Sequence, residues 1–135
     1  MHEVFEHTAD LGLRIRTASQ AELFAEAAMA LRELMVTNAG NETEQRQITL
    51  TQSDPALLFF DWLNELLYLF DAERYLTQRA TVSIVDGTLN ATLYGEPLDN
   101  SRHQLDYEVK AITYHQLKAE QLASGEWLAE VILDI

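Results

Sequence analysis

The apolar and polar positions of this chain recur with two periods. Leu11, Leu13 and Ile15 alternate with Gly12, Arg14 and Arg16, the pattern of a strand with one buried face. Asp10 shares the parity of the arginines and is expected to project away from the core. Ser19-Gln-Ala-Glu22 is a capping-box pattern, in which the serine oxygen accepts from an amide at the helix start. Leu23, Ala27, Ala30, Leu31 and Leu34 follow at helical spacing, with Phe24, Ala28 and Met35 widening the stripe. A helix is predicted over 21–36, ending near Asn38-Ala-Gly40-Asn41. Residues 45–51 read as a strand. Asp54-Pro55 then opens a second helix to about Phe70, because proline at the first helical position loses no needed hydrogen bond. Its polar stripe is Asp61, Asn64, Glu65 and Tyr68.

Residues 81–85 and 88–94 flank Asp86-Gly87, a hairpin signal because the turn requires positive φ. Gly95-Glu-Pro97 through His103 reads as a loop. Residues 107–118 read as one strand, with Glu108, Lys110, Ile112, Tyr114, Gln116 and Lys118 on one face. His115 falls on the opposite, apolar face, where a hydrogen-bonded structural role is expected. Ser124-Gly125 is a turn into a last strand, in which Trp127, Ala129, Val131, Leu133 and Ile135 alternate with Leu128, Glu130, Ile132 and Asp134. Strands punctuated by two helices predict an α+β fold: one domain over 1–135, its antiparallel-rich sheet or sheets packed against two main helices.

Composition narrows the chemistry. Among 135 residues, 9 Lys+Arg face 22 Asp+Glu, a formal net charge of −13. Such a chain repels phosphate backbones, so direct nucleic-acid binding is not expected, and a basic protein partner or a metal cation suits it better. The absence of cysteine excludes a thiolate metal site and a thiol nucleophile and agrees with a reducing cytoplasm. No signal-like N-terminus and no run fit to span a bilayer are visible, so a soluble, cytoplasmic protein is expected. His7, His103 and His115 lack the spacing of a metalloprotease helix or a zinc finger, and the glycines form no phosphate loop. No nucleophilic-serine elbow is present. Asp61 and Glu65, one turn apart, read as a solvated face that could dock a basic partner.

Two features remain. Asp10 at a strand entry, the penultimate Asp134 and an oxygen of Ile135 could serve a hard cation such as Ca²⁺ or Mg²⁺, which takes oxygen ligands; otherwise Asp10 is a turn residue and Asp134 a solvated strand end. The only two lysines, Lys110 and Lys118, stand in one twelve-residue stretch.

His7-Thr-Ala-Asp-Leu-Gly12, Glu108-Val-Lys-Ala-Ile-Thr-Tyr-His115 and the ending Val131-Ile-Leu-Asp-Ile135 together resemble the archease family. Asp61-Trp-Leu-Asn-Glu65-Leu-Leu-Tyr-Leu-Phe-Asp71 and Gly95-Glu96-Pro97 match it in order and spacing. The resemblance implies an accessory protein, not a stand-alone enzyme. Its partner would be an RtcB-type RNA ligase, whose GTP-dependent histidine guanylylation and multiple turnover it promotes in tRNA splicing or RNA repair. It further implies a metal site of Asp10, Asp134 and Ile135, assigned to Ca²⁺ with Mg²⁺ the alternative, and action on the partner by Asp10 and Lys110. The alternatives are a general chaperone or interaction module, docking clients on the Asp61–Tyr68 stripe, and a metal-dependent enzyme acting on a nucleotide. Lys110 lies inside its motif, whereas Lys118 falls beyond it and reads as a solvated charge.

Overall fold

Period-two and period-3.6 patterning resolves into ten elements: β1 (His2–His7), β2 (Asp10–Thr17), α1 (Gln20–Met35), β3 (Glu44–Thr51), α2 (Pro55–Asp71), β4 (Tyr75–Val85), β5 (Thr88–Pro97), β6 (Ala111–Ile112), β7 (Lys118–Gln121) and β8 (Trp127–Asp134). The computed structural model describes residues 1–7, 10–38 and 40–135, with Glu6 and His7 described by their main chain alone. Thr8 and Ala9 of the first motif, and Ala39 at the expected end of the first helix, thus lie outside the described residues.

The strands form two antiparallel sheets. In the five-stranded sheet the order is β1-β2-β8, with β6 and β7 both on the far edge of β8; the three-stranded sheet runs β3-β5-β4. Both helices pack against strands of the two sheets. Leu11, Leu13 and Ile15 are buried as their alternation requires, while Asp10 and Arg14 keep partial exposure. The caps are those the sequence specifies. Ser19 Oγ accepts from the Glu22 amide at 3.2 Å, and the Asp54 side chain accepts from the Ala56 amide at 2.9 Å, satisfying donors a helix start otherwise leaves open. Phe24 joins the helices: its ring meets Phe59 edge-on at 5.3 Å, and its carbonyl accepts from Trp62 Nε1 at 2.9 Å. That bond satisfies the indole donor within a fully buried cluster.

Four expectations are corrected. First, Gly95-Glu96-Pro97 ends β5 instead of forming a loop. Gly95 is there because the Leu76 carbonyl approaches it too closely for any Cβ, beside a register shift between Thr77 and Arg79. Second, β1 is an additional edge strand. Its sequence alternates weakly because Val4 is 43% exposed, so little apolar signal marks it. Third, β4 starts at Tyr75, well before residue 81.

The fourth correction bears on the lysines, because residues 107–118 are not one strand. Ile112 pairs with Leu133 and Lys118 with Glu130, so six steps on the outer chain answer three on β8. Three extra residues are an odd number, and an odd insertion swaps the faces of a strand. Ile112 faces the core, whereas Lys118 sits opposite Glu130 in register with Arg14. The two lysines therefore do not share a face. His115 stands in the intervening turn and is exposed, not on an apolar face.

Candidate functional site

The charged ladder across the outer face of the larger sheet sets the context for Asp10. Glu3, Arg14, Glu130 and Lys118 are successive register partners on β1, β2, β8 and β7. Their signs alternate, and Arg14 pairs with both Glu3 and Glu130 at 2.9 Å. Opposite charges in direct cross-strand positions are mutually stabilising. Four register pairs further along, β2 and β8 oppose Asp10 and Asp134 directly. Direct antiparallel partners hold their Cβ atoms roughly 4.5–5.5 Å apart on one face, where like charges repel. Among the described residues neither carboxylate has an ion pair. The sheet thus neutralises one row of charges and leaves a pair of carboxylates in the other.

Lys110 reaches the same end of the sheet through its main chain. Its N–H donates to the Asp134 carbonyl at 2.8 Å, immediately before β6 pairs Ala111 with Asp134. Three residues far apart in sequence are therefore brought together, as Asp10, Asp134 and the Lys110 backbone. The Lys110 side chain is exposed and forms no ion pair among the described residues. It lines a cleft of about 520 Å³ at the C-terminal end of α2, with Phe70, Asp71, Tyr107 and Glu108. Burial, reinforced by the nearby Glu108 carboxylate, pushes the Asp71 carboxyl above its ordinary range, with Arg74 opposing. Ile135 follows directly, its side chain packed against the core, which ties down the end of β8.

The donors at this end suit a hard cation: carboxylates of Asp10 and Asp134, with main-chain oxygens alongside. Among the described residues no three His, Asp or Glu side chains gather at metal-ligating range. A cation here would accordingly complete its shell with main-chain oxygen or water, as Ca²⁺ and Mg²⁺ do.

The sequence reading missed a buried knot at the end of β5. Glu96 is 2% and His103 4% exposed. The Asp99 amide donates to His103 Nδ1 at 2.8 Å, so the ring hydrogen lies on Nε2, which donates to Glu96 at 2.9 Å. Arg102 and the Asn41 amide also donate to this carboxylate. The Arg102 hydrogen bond, with those from Asn41 and His103, holds the Glu96 pKa down at about 2 against the opposing effect of burial. The knot fixes the chain between β5 and the segment that delivers Lys110. The clue was a carboxylate caught between Gly95 and Pro97, six residues before the basic pair Arg102-His103.

Among the described residues, no helix is long and apolar enough to cross a membrane. A family model described as the Archease protein family matches residues 2–135. The chain is 38% identical to the protein archease of Pyrococcus abyssi over 138 residues, covering 98% of this chain and 97% of the relative. It is 34% identical to that of Methanosarcina mazei, covering 99% and 95%. The solution structure of protein 1598 of Methanobacterium thermoautotrophicum superposes with a TM-score of 0.81 at 31% identity, covering 99% of this chain and 98% of that one.

Proposed function

From the premise that this chain belongs to the archease family, we propose that it is a protein cofactor of an RtcB-type RNA ligase, promoting GTP-dependent guanylylation of the ligase's histidine and its multiple turnover. The setting is cytoplasmic tRNA splicing or RNA repair. The observation that supports this reading most is the meeting of Asp10, Asp134 and the Lys110 backbone at one end of the sheet. Two opposed carboxylates at a strand pair cost stability, and a role in holding a cation accounts for that cost.

Asp10, Asp134 and an oxygen of Ile135 would hold Ca²⁺, with Mg²⁺ the alternative. The ion, when bound, supplies positive charge that can offset the charge of a nucleotide's phosphates. Asp10 would hold that ion in place, and the Lys110 ammonium, exposed at the adjoining cleft, would add a second positive group that a partner's nucleotide pocket could receive. The protein's own net charge of −13 favours docking on a basic, RNA-binding ligase.

The test is multiple-turnover ligation with a cognate ligase. Wild-type protein should stimulate it, whereas Asp10→Ala and Lys110→Ala should not, while keeping their circular-dichroism spectra. Wild-type protein that gives no stimulation overturns the reading. For the metal, Ca²⁺ should raise the melting temperature of the wild type and leave that of Asp10→Asn unchanged, since a ligand stabilises only the state that binds it.

A further inference from the structure

Three arginines of this chain share one arrangement. Arg14 lies 4.6 Å from the Phe5 ring centroid and pairs with Glu3 and Glu130. Arg46 lies 4.5 Å from the Tyr75 ring and pairs with Glu44. Arg79 lies 3.9 Å from the Tyr94 ring and pairs with Glu42. Each guanidinium lies over an aromatic ring and donates an N–H to a carboxylate, two contacts a planar cation can combine.

Tyr114 supplies the ring and α2 the carboxylates of a fourth such arrangement. The three extra residues between β6 and β7 lift Tyr114 off the sheet, with Gln116 held at φ 56° in the same turn. The Tyr114 ring stacks on Phe60 of α2 at 4.0 Å and 18°, yet Tyr114 is 62% exposed, so its other side faces solvent. Along the same face of α2 run Asp61, Glu65 and the 54% exposed Tyr68. The helix holds no lysine or arginine, and no cation pairs with Asp61 or Glu65 among the described residues.

We infer that the outer face of α2, with Tyr114, is a docking surface for an arginine-bearing patch of a basic protein. The identity of that protein as the ligase rests on the reading proposed above; the surface itself does not. A second copy of the chain is a poor occupant, because six of its arginines already pair within the fold. RNA is a poor one too, because the acidic face repels phosphate. The surface adjoins the candidate site, since Lys110, β6 and Tyr114 follow one another within five residues. A partner seated on α2 would thereby be presented to Lys110.

Two measurements test this. In the first, a nona-arginine peptide and a nona-lysine peptide are titrated into the full chain. The arginine peptide should bind at least fivefold tighter, with Tyr114→Ala erasing the preference and Tyr114→Phe keeping it. Equal binding of both peptides, or a preference that survives Tyr114→Ala, overturns the surface, as does tighter binding of a single-stranded RNA oligomer through Tyr114. In the second, Tyr114→Ala and the pair Asp61→Asn with Glu65→Gln should weaken binding to the cognate ligase at least tenfold, with stimulation restored at saturating concentration. Ligase binding unchanged in both variants separates the ligase from this surface. Peptide discrimination without any stimulation by the wild type would instead sink the ligase reading alone.

Discussion

Gly12 earns its position through what lies over it. It is the register partner of Phe5, and a Cβ built on Gly12 would lie 2.2 Å from two carbons of that ring, far inside van der Waals contact. The ring in turn carries the Arg14 guanidinium at 4.6 Å. Gly12→Ala should therefore push the ring aside and lose the stack, costing about 1 kcal/mol, the scale of an exposed cation–π contact with its packing. In a Phe5→Ala background the same substitution should cost almost nothing, a coupling that urea denaturation of the four-protein cycle would measure. Glu96 gives a second prediction at this scale. Its folded pKa is depressed from 4.5 to about 2, so its ionised form contributes stability in full above about 4.5. That contribution fades as pH falls from 4.5 towards 2. Glu96→Gln should cost roughly 1.5–3 kcal/mol at pH 7, the range for hydrogen bonds to a charged group. The gap from wild type should close in the acid window, and a gap that stays constant down to pH 2 would contradict the assignment.

Elements bounded by a capping residue or a tight turn were legible in the sequence. α1 and α2 begin at Ser19 and Asp54 as their side chains dictate, and the β4–β5 turn uses Asp86 at φ 50° and Gly87 at φ 76°. What failed was parity across residues 107–118. Alternation assumes an unbroken strand, and no local residue announces that three positions are extruded. The extrusion depends on Tyr114 finding Phe60 on another element, which is tertiary information. The same limit applies to the candidate site: motifs named Asp10, Asp134 and Lys110, but only the β2–β8 register makes the two aspartates face each other. Gln116 offers a test of the turn. A left-handed conformation costs an L-residue roughly 1–2 kcal/mol, so Gln116→Gly should raise stability by up to about 1 kcal/mol after the entropy glycine loses on folding. A fall in melting temperature would show that the side chain, not the backbone, holds the turn.

At the scale of the molecule, charge acts in two opposite directions. A net charge of −13 on 135 residues is self-repulsive, and the ion pairs are spent mainly on β1, β2, β3, β4, α1 and the 96–102 segment. The acids of α2 and the opposed Asp10 and Asp134 are left without such partners among the described residues. Salt shortens the screening length from about 10 Å at 0.1 M to about 3 Å at 1 M, so it should relieve the self-repulsion and stabilise the free protein. The same screening should weaken docking on a basic partner, mainly by slowing association. Melting temperature and partner dissociation constant should thus both rise across one sodium chloride series. Tyr114→Ala should leave the first slope unchanged, because it carries no charge and its ring is mostly outside the core. Asp61→Asn with Glu65→Gln should flatten both slopes, since those carboxylates repel within the free chain and attract across the interface. A dissociation constant that does not move with salt would mean the partner is held by apolar contact, and the acidic face would then serve solubility alone.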